Sequence, residues 1–330
     1  MKIKQKLVGK TELKVDILGL GCAPLGGNFV DLTYENGAKI IKTALQAGMS
    51  YFDTAAWYGF GRSERLVGDC LRHKKYVLSS KAGRILKPGA VQNPLDFGMI
   101  DPLPFHVMYD YSYDGIMRSY EDGLQRLGLD RIDILLAHDI GAFQHGADNI
   151  RHFNDLAKSG YKAMSELKEQ GAVKAIGLGV NETQVCEDAL NIGQWDVFLL
   201  AGRYTLLEQS PLERLFPACK KAGTSIICGG PFNSGLLVGR ETWNYSKAPE
   251  NLVNKTRKLA NVADEFNIPL GAAALHFPQA HQIISSVIPG PRSDLELLEI
   301  ISWQETKIPI EFWTSLKDKS LLDIDAPTPQ

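Results

Sequence analysis

The run Ile132-Asp133-Ile134-Leu135-Leu136-Ala137-His138 decides the fold. From Ile134 to Ala137 it is apolar without alternation, and a charged or ionisable residue stands at each end. A short run of this kind suits a strand buried on both faces, as in a parallel sheet. Seven similar runs flank it: Ile17–Cys22, Ser50–Thr54, Tyr76–Ser80, Val173–Gly179, Asp196–Leu200, Ser225–Cys228 and Ile283–Ile288. Helical patterns separate them. Tyr113, Ile116, Met117, Tyr120, Leu124 and Leu127 fall on one helical face, and Gly128 follows as a stop. Eight such units predict an α/β chain closed into a (β/α)8 TIM barrel, because crossovers in a parallel sheet keep one hand. An open doubly wound sheet is the rival. It is disfavoured because Gly19-Leu20-Gly21 lacks the third glycine of a G-x-G-x-x-G turn.

Working outward, residues 1–15 read as an N-terminal hairpin turning at Gly9-Lys10. Ser210-Pro211-Leu212-Glu213 reads as a helix start that runs to Gly223, and Asn181-x-x-Gln184 and Ser293-x-x-Glu296 as two further capping boxes. Residues 84–111 hold four prolines and no helical period, and read as a long loop after strand three. Residues 140–158 read as a second irregular stretch, after strand four. The tail Asp323–Gln330 reads as frayed.

The 330 residues, 44% hydrophobic, suffice for one large core, and a single domain over 1–330 is expected. The formal net charge of -2 and the absence of basic blocks exclude a polyanion binder, so no nucleic-acid partner is expected. No segment approaches about 18 consecutive apolar residues, and the N-terminus lacks a signal-peptide core, so no membrane association is expected. Five scattered cysteines, Cys22, Cys70, Cys186, Cys219 and Cys228, suit a reducing cytoplasm. No metal site is expected: His138, His145 and His152 lie seven apart, which does not gather one ligand set. Monomer and homodimer both remain open.

Barrel chemistry belongs at the carboxyl ends of the strands. Strand two ends at Asp53 with Tyr58 five residues on; strand three ends at Lys81; strand four ends at His138, with Asp139 beside it. Singly, each has an ordinary structural explanation, such as a turn carboxylate, a packed phenol, a solvated lysine or a buried imidazole. Their coincidence at adjacent strand ends is the signal. A tyrosine with its pKa of about 10 exchanges protons poorly at neutral pH, and a neighbouring ammonium favours the phenolate. Lys81 is expected to supply that charge, Asp53 to hold Lys81 in place, and His138 to orient a substrate oxygen. The set makes a general acid/base for an alcohol or carbonyl.

Tyr51-Phe52-Asp53-Thr54-Ala55-Ala56-Trp57-Tyr58-Gly59, Ser63-Glu64-Arg65-Leu66-Val67-Gly68, Ser79-Ser80-Lys81 and Asp133–His138 resemble the signatures of the aldo-keto reductases. The likeness covers about Val8 to Ile301. It implies a catalytic tetrad of Asp53, Tyr58, Lys81 and His138, a substrate site that adds Trp57, and hydride exchange with NAD or NADP. Leu18–Gly27, His138-Asp139, Gly202–Leu207 and Gly229–Gly235 are similar to the branch of D-threo-aldose 1-dehydrogenases (L-fucose dehydrogenases) and pyridoxal 4-dehydrogenases. That implies oxidation of the anomeric carbon of a free aldose, of the L-fucose, L-galactose or D-arabinose type, to a lactone. The alternatives are oxidation of pyridoxal to 4-pyridoxolactone, NADPH-dependent carbonyl reduction, and a non-catalytic cofactor-binding subunit.

Glycines at Gly229-Gly230 allow backbone to approach a pyrophosphate. The resemblance implies cofactor contacts at Gly21, Cys22, Asp53, Asn181, Gly230, Phe232, Asn233, Ser234, Gly235, Leu236, Gly290, Arg292, Ser293, Glu296 and Glu299. The family's NADP users commonly carry a lysine after the proline that ends strand eight and an arginine further on, where this chain has Gly290 and Glu296. A carboxylate there repels a 2′-phosphate, which favours NAD; Arg292 pulls the other way. The Ser-Asn after strand five and the Gln of strand six common in the family are absent, and Asn181 is the candidate to replace part of them.

Overall fold

In a computed structural model, which describes residues 3–330, the sheet closes on itself. Its strands are β1 Leu20–Gly21, β2 Tyr51–Asp53, β3 Val77–Ala82, β4 Ile134–His138, β5 Ala175–Val180, β6 Val197–Ala201, β7 Ser225–Gly229 and β8 Ile284–Ile288, all parallel and paired in chain order. Each expected strand is present. Leu18 bridges Val287; the Gly19 N–H donates to the Val287 carbonyl at 3.0 Å and the Val287 N–H to that of Ile17 at 2.9 Å. The first strand therefore pairs with the last, and the open sheet is excluded. The architecture is the (β/α)8 barrel.

Alternation along the strands makes two cores. Tyr51, Ile134, Leu136, Ala175, Val197, Leu199, Ile227 and Ile288 fill the interior, and Val8, Leu13 and Val15 of the N-terminal hairpin plug its base. That hairpin pairs Gln5–Leu7 with Lys14–Asp16. Gly9, at φ 54, lies where a Cβ would stand 2.3 Å from the Asp196 carbonyl oxygen, so only glycine lets the turn abut the barrel. Phe52, Leu78, Leu135, Ala137, Ile176, Leu178, Phe198 and Leu200 point outward into the second core, beneath the helices. A buried polar tie crosses that layer. Glu64, in the helix Arg62–Leu71, accepts from Ser80 of β3 at 2.7 Å and from Arg126 of the helix Tyr113–Leu127 at 2.5 Å.

Several local expectations are corrected. Residues 84–111 are no structureless loop. Arg84–Pro88 and Phe105–Tyr109 pair as an antiparallel hairpin standing on the end of β3. Its prolines sit at or beyond the ends of the paired segments, where no ladder donor is needed. The stretch 140–158 is helical, with Ala142–His145 and Asn149–Asp155 running through a π turn at Leu156–Gly160 into Tyr161–Glu169. Helices this short are held by packing rather than propensity; here His145 and His152 pack on Tyr109 and Tyr111. The helix expected from Ser210 is a 3-10 turn, Ser210–Leu212, and the α-helix begins only at Leu215. Pro217 explains this, since it fits the first helical turn but would break a helix already running through it. Ser293 caps its helix as expected, its Oγ accepting from the Glu296 N–H at 3.1 Å. Asn181 does not cap; the helix Gln184–Ala189 follows Thr183, and the Asn181 side chain is used elsewhere. The tail is tied down through Leu321, Leu322 and a fully buried Ala326.

Removing the Glu64 carboxylate leaves Arg126 and Ser80 without their acceptor. Glu64→Ala is expected to lower unfolding stability by about 3 kcal/mol, read as a fall in the urea midpoint; an unchanged midpoint rules out this tie as a stabilising element.

Candidate active site

Period-two alternation carries chemistry to the mouth of the barrel. Tyr51 and Asp53 of β2, Ser79 and Lys81 of β3, and Leu136 and His138 of β4 share the inward face, with Asp53 opposite Ser79, Lys81 opposite Leu136, and His138 opposite Gly179. The Lys81 ammonium donates to Asp53 Oδ1 at 2.6 Å and to the Thr54 carbonyl at 2.8 Å. Ser79 adds a hydrogen bond to the same Asp53 oxygen at 2.5 Å, and Tyr51 meets Ser79 at 3.0 Å. Both charged side chains are almost wholly buried. Gly179 makes this possible: a Cβ there would stand 3.0 Å from Cε of Lys81.

Tyr58 follows β2 in a turn closed by Gly59 at φ 63. Its ring meets the His138 ring edge-on at 6.0 Å, with the Lys81 ammonium 5.8 Å from its centre. The four expected residues therefore converge. One electrostatic expectation changes, however. The Lys81 ammonium is hydrogen-bonded to Asp53 and the Thr54 carbonyl and stands 5.8 Å from the centre of the Tyr58 ring, and its charge does not outweigh the groups that disfavour the phenolate. Burial first, and the Asp53 charge second, hold the phenol protonated well above the usual tyrosine range, with the Arg84 guanidinium opposing them. His138 is held neutral, well below the usual imidazole range, by burial first and then by Arg84 and Lys81. Its Nδ1 has no partner among the described residues.

These groups floor a cavity of about 1170 Å³, larger than a typical small-ligand pocket. Trp57, Phe97, Tyr109 and Phe143 line it beside Tyr58, and Trp57 packs edge-on against Phe60 and Phe97. From there a trough runs past Gly21, Gly229-Gly230 and Phe232 to Gly290, Arg292, Glu296 and Glu299. The trough suits an elongated ligand held by backbone. A Cβ at Gly21 would lie 3.1 Å from the Ile288 carbonyl oxygen, and one at Gly290 3.0 Å from Pro24, so side chains cannot grow there. At its far end Arg240 donates to Glu296 Oε1 at 2.7 Å, while the Arg292 N–H donates to Oε2 at 2.8 Å. Across the mouth, Phe29 stacks on Tyr245 at 5.4 Å.

Of the expected cofactor residues, Gly21, Asp53, Asn181, Gly230, Phe232, Ser234, Gly235, Leu236, Gly290, Arg292, Glu296 and Glu299 line this cavity. Three do not. The Cys22 thiol turns into the outer core. Asn233 is buried, donating to the Gly202 carbonyl and Glu208, so it shapes its loop from behind. Ser293 is occupied by its cap.

Sequence reasoning missed Arg84 and, though it named Asp139 beside His138, gave that residue no role. Arg84 lies three residues after Lys81, 1% exposed, with its guanidinium 4.3 Å from the centre of the Trp57 ring. It donates to Asp139 Oδ2 at 2.6 Å. Asp139 lines the cavity in the left-handed backbone region, φ 44, a conformation that costs about 1 kcal/mol for a residue with a side chain. Two ionisable residues flanking expected strand ends were the available signal, but hairpin and turn geometry decide that they meet.

The profile of the aldo/keto reductase family matches residues 17–320. The chain is 40% identical over 335 residues to a pyridoxal 4-dehydrogenase of Microbacterium luteolum, covering 97% of this chain and 98% of that one. It is 33% identical over 332 residues to a D-threo-aldose 1-dehydrogenase of a Pseudomonas species, covering 96% of each. A solved aldo-keto reductase of Bacillus halodurans, in its holo form, superposes with a TM-score of 0.76 at 23% identity, covering 99% of this chain and 98% of that one.

Because burial and two nearby cations disfavour the imidazolium, the His138 ring is expected to stay neutral from pH 6 to 9. Nitrogen-15 shifts of labelled imidazole, assigned with His138→Gln, check this; a charge change near pH 6.5 contradicts it.

Proposed function

The chain belongs to the aldo/keto reductase family, a family of nicotinamide-dependent oxidoreductases acting on CH–OH and carbonyl groups, and on that premise we propose that it oxidises a cyclic hemiacetal to its lactone with NAD. The observation that carries this reading is the floor of the cavity, where a phenol and a neutral imidazole face one space beside a buried Lys81–Asp53 pair. A trough lined by Gly21, Gly229, Gly230 and Gly290 leads away from it.

The trough residues Gly229, Gly230 and Gly290, with Arg292 and Glu296, are the ones to hold the cofactor. When bound in its oxidised form, the nicotinamide supplies a hydride acceptor and a positive charge. His138, neutral and therefore able to donate from one ring nitrogen, orients the substrate oxygen. Tyr58 takes the hydroxyl proton as the C–H bond yields its electron pair. Lys81, fixed by Asp53, keeps a cation within reach of the phenolate that must form. Since the phenol is held protonated in the empty site, oxidation is expected to quicken as pH rises from 7 to 10. The reverse reduction, which draws on the protonated phenol, gains nothing from that rise. An acid limb to oxidation from His138 is not expected, because that ring is already neutral.

The aromatic lining of Trp57, Phe97 and Tyr109, together with 40% identity to a pyridoxal 4-dehydrogenase, supports pyridoxal as the first substrate to test. A free aldose is the second reading. It is favoured by Asn28, Gln144 and Asn181, polar side chains lining the same cavity. For the cofactor, NAD is supported by the Glu296 carboxylate lining the trough, which would repel a 2′-phosphate bound beside it, although Arg240 partly offsets its charge. Five free cysteines fit a reducing cytoplasm.

Steady-state assays with pyridoxal and with L-fucose, each with NAD and NADP, test the reading. Turnover of at least one is expected, with Tyr58→Phe losing about 1000-fold in kcat while still binding NADH. Failure of both substrates removes the hemiacetal reading. Separately, titration of protein fluorescence is expected to give a Kd for NADH about tenfold below that for NADPH, one repelled phosphate being worth roughly that factor. Glu296→Gln is expected to narrow the gap, and equal affinities in the unaltered protein contradict the NAD assignment.

A further inference from the structure

The reaction as described leaves Arg84 and Asp139 without a part, although the one is buried and the other half-buried against its centre. Arg84 opens the hairpin that stands on β3. Its Nη2 donates to Asp139 Oδ2 at 2.6 Å and to Gln144 at 3.1 Å, while Nε and Nη1 find no acceptor among the described residues. Asp139 follows His138 directly. Its Oδ1 accepts from the Asn181 amide at 3.1 Å, and its Oδ2 comes within 3.4 Å of His138 Nε2. Two donors on two elements, Arg84 and Asn181, thus hold one carboxylate at the cavity, beside the ring that orients the reacting oxygen.

A purely structural tie between hairpin and barrel does not require this arrangement. The hairpin is already fastened: the Tyr111 hydroxyl donates to the His138 carbonyl at 2.6 Å, and the Gly83 N–H donates to Ser119 at 3.0 Å. A tie needs neither a left-handed aspartate nor a carboxylate that lines the ligand space. Backbone strain held in place by converging hydrogen bonds is the mark of a positioned functional group. An ionised carboxylate accepts about four hydrogen bonds and donates none, so the capacity left on Asp139 calls for a donor.

We infer that Asp139 is a substrate-binding residue, whose carboxylate accepts a hydrogen bond from a hydroxyl group flanking the oxidised carbon, and that Arg84 is its positioning residue. This rests on the hemiacetal reading and narrows it. The substrate class becomes hydroxylated hemiacetals, and substrates with an anionic group at that place are repelled. Both test substrates qualify, an aldose through its 2-hydroxyl and pyridoxal through the 3-hydroxyl of its neutral tautomer, which is the form Asp139 selects because the zwitterion predominant in neutral water carries a phenolate at that place. With His138 on one oxygen and Asp139 on the next, the ring is held at two points, which fixes the face it presents.

The experiment compares each hydroxylated substrate with its deoxy analogue, pyridoxal with 3-deoxypyridoxal and L-fucose with its 2-deoxy form. In the unaltered protein the analogue is expected to lose about 30-fold in kcat/KM, the worth of a hydrogen bond to a charged group. In Asp139→Asn the hydroxylated substrate is expected to fall to the level of the analogue, whose own kcat/KM barely moves, and the NADH Kd from fluorescence is unchanged. Equal losses on both members of the pair assign Asp139 a structural role and overturn the inference while leaving the hemiacetal reading intact. No turnover of either hydroxylated substrate by the unaltered protein overturns both. Should Asp139→Asn not fold, Arg84→Lys keeps the charge and loses the planar fork. It is expected to shrink the hydroxyl-to-deoxy ratio at least fivefold, and an unchanged ratio overturns the inference.

Discussion

Everything at the mouth of this barrel depends on keeping Lys81 and Asp53 together out of water. Each buried charge costs several kcal/mol of lost hydration, and only close pairing with further hydrogen bonds offsets it. The barrel supplies both. Neighbouring strands set Asp53 and Lys81 at 2.6 Å, Ser79 and the Thr54 carbonyl take up remaining capacity, and Gly179 leaves a channel for the lysine stem. A pair on flexible loops could not be held this way.

Around that pair the site balances its charges. Asp53 is met by Lys81, and Asp139 by Arg84, so the phenol and the imidazole between them are left uncharged. Neutral reacting groups framed by fixed ion pairs suit a reaction in which a hydride leaves the substrate carbon and a proton leaves the oxygen bonded to it. Little reorganisation of the surroundings is then needed. The arginine links this electrostatic frame to the shape of the pocket, since the same guanidinium that holds Asp139 stacks on Trp57.

The division of labour between core and rim follows from the two-sided sheet. Inward residues low in the barrel are apolar and close-packed; inward residues at the top are ionisable. Outward residues are apolar throughout, apart from ties such as Ser80–Glu64–Arg126. The rim can vary without disturbing the barrel, and it is there, in the hairpin 84–109, the helices after β4 and the Phe29–Tyr245 contact, that the chain acquires its own pocket.

By itself the sequence determined the eight strands, the closed barrel and the four residues at the strand ends, because unbroken apolar runs and a period of two are local properties that backbone geometry converts directly into buried parallel strands. It also determined the cap at Ser293, a matter of residues three apart. It did not determine that residues 84–111 pair as a hairpin, that Cys22, Asn233 and Ser293 do not line the trough, that burial and Asp53 outweigh Lys81 at Tyr58, or that Arg84 meets Asp139. Those depend on contacts between segments up to 55 residues apart, as for Arg84 and Asp139. They also depend on which groups lose water when the loops pack. Only the tertiary structure decides such things, because neither burial nor the direction of a side chain's partner is a local quantity.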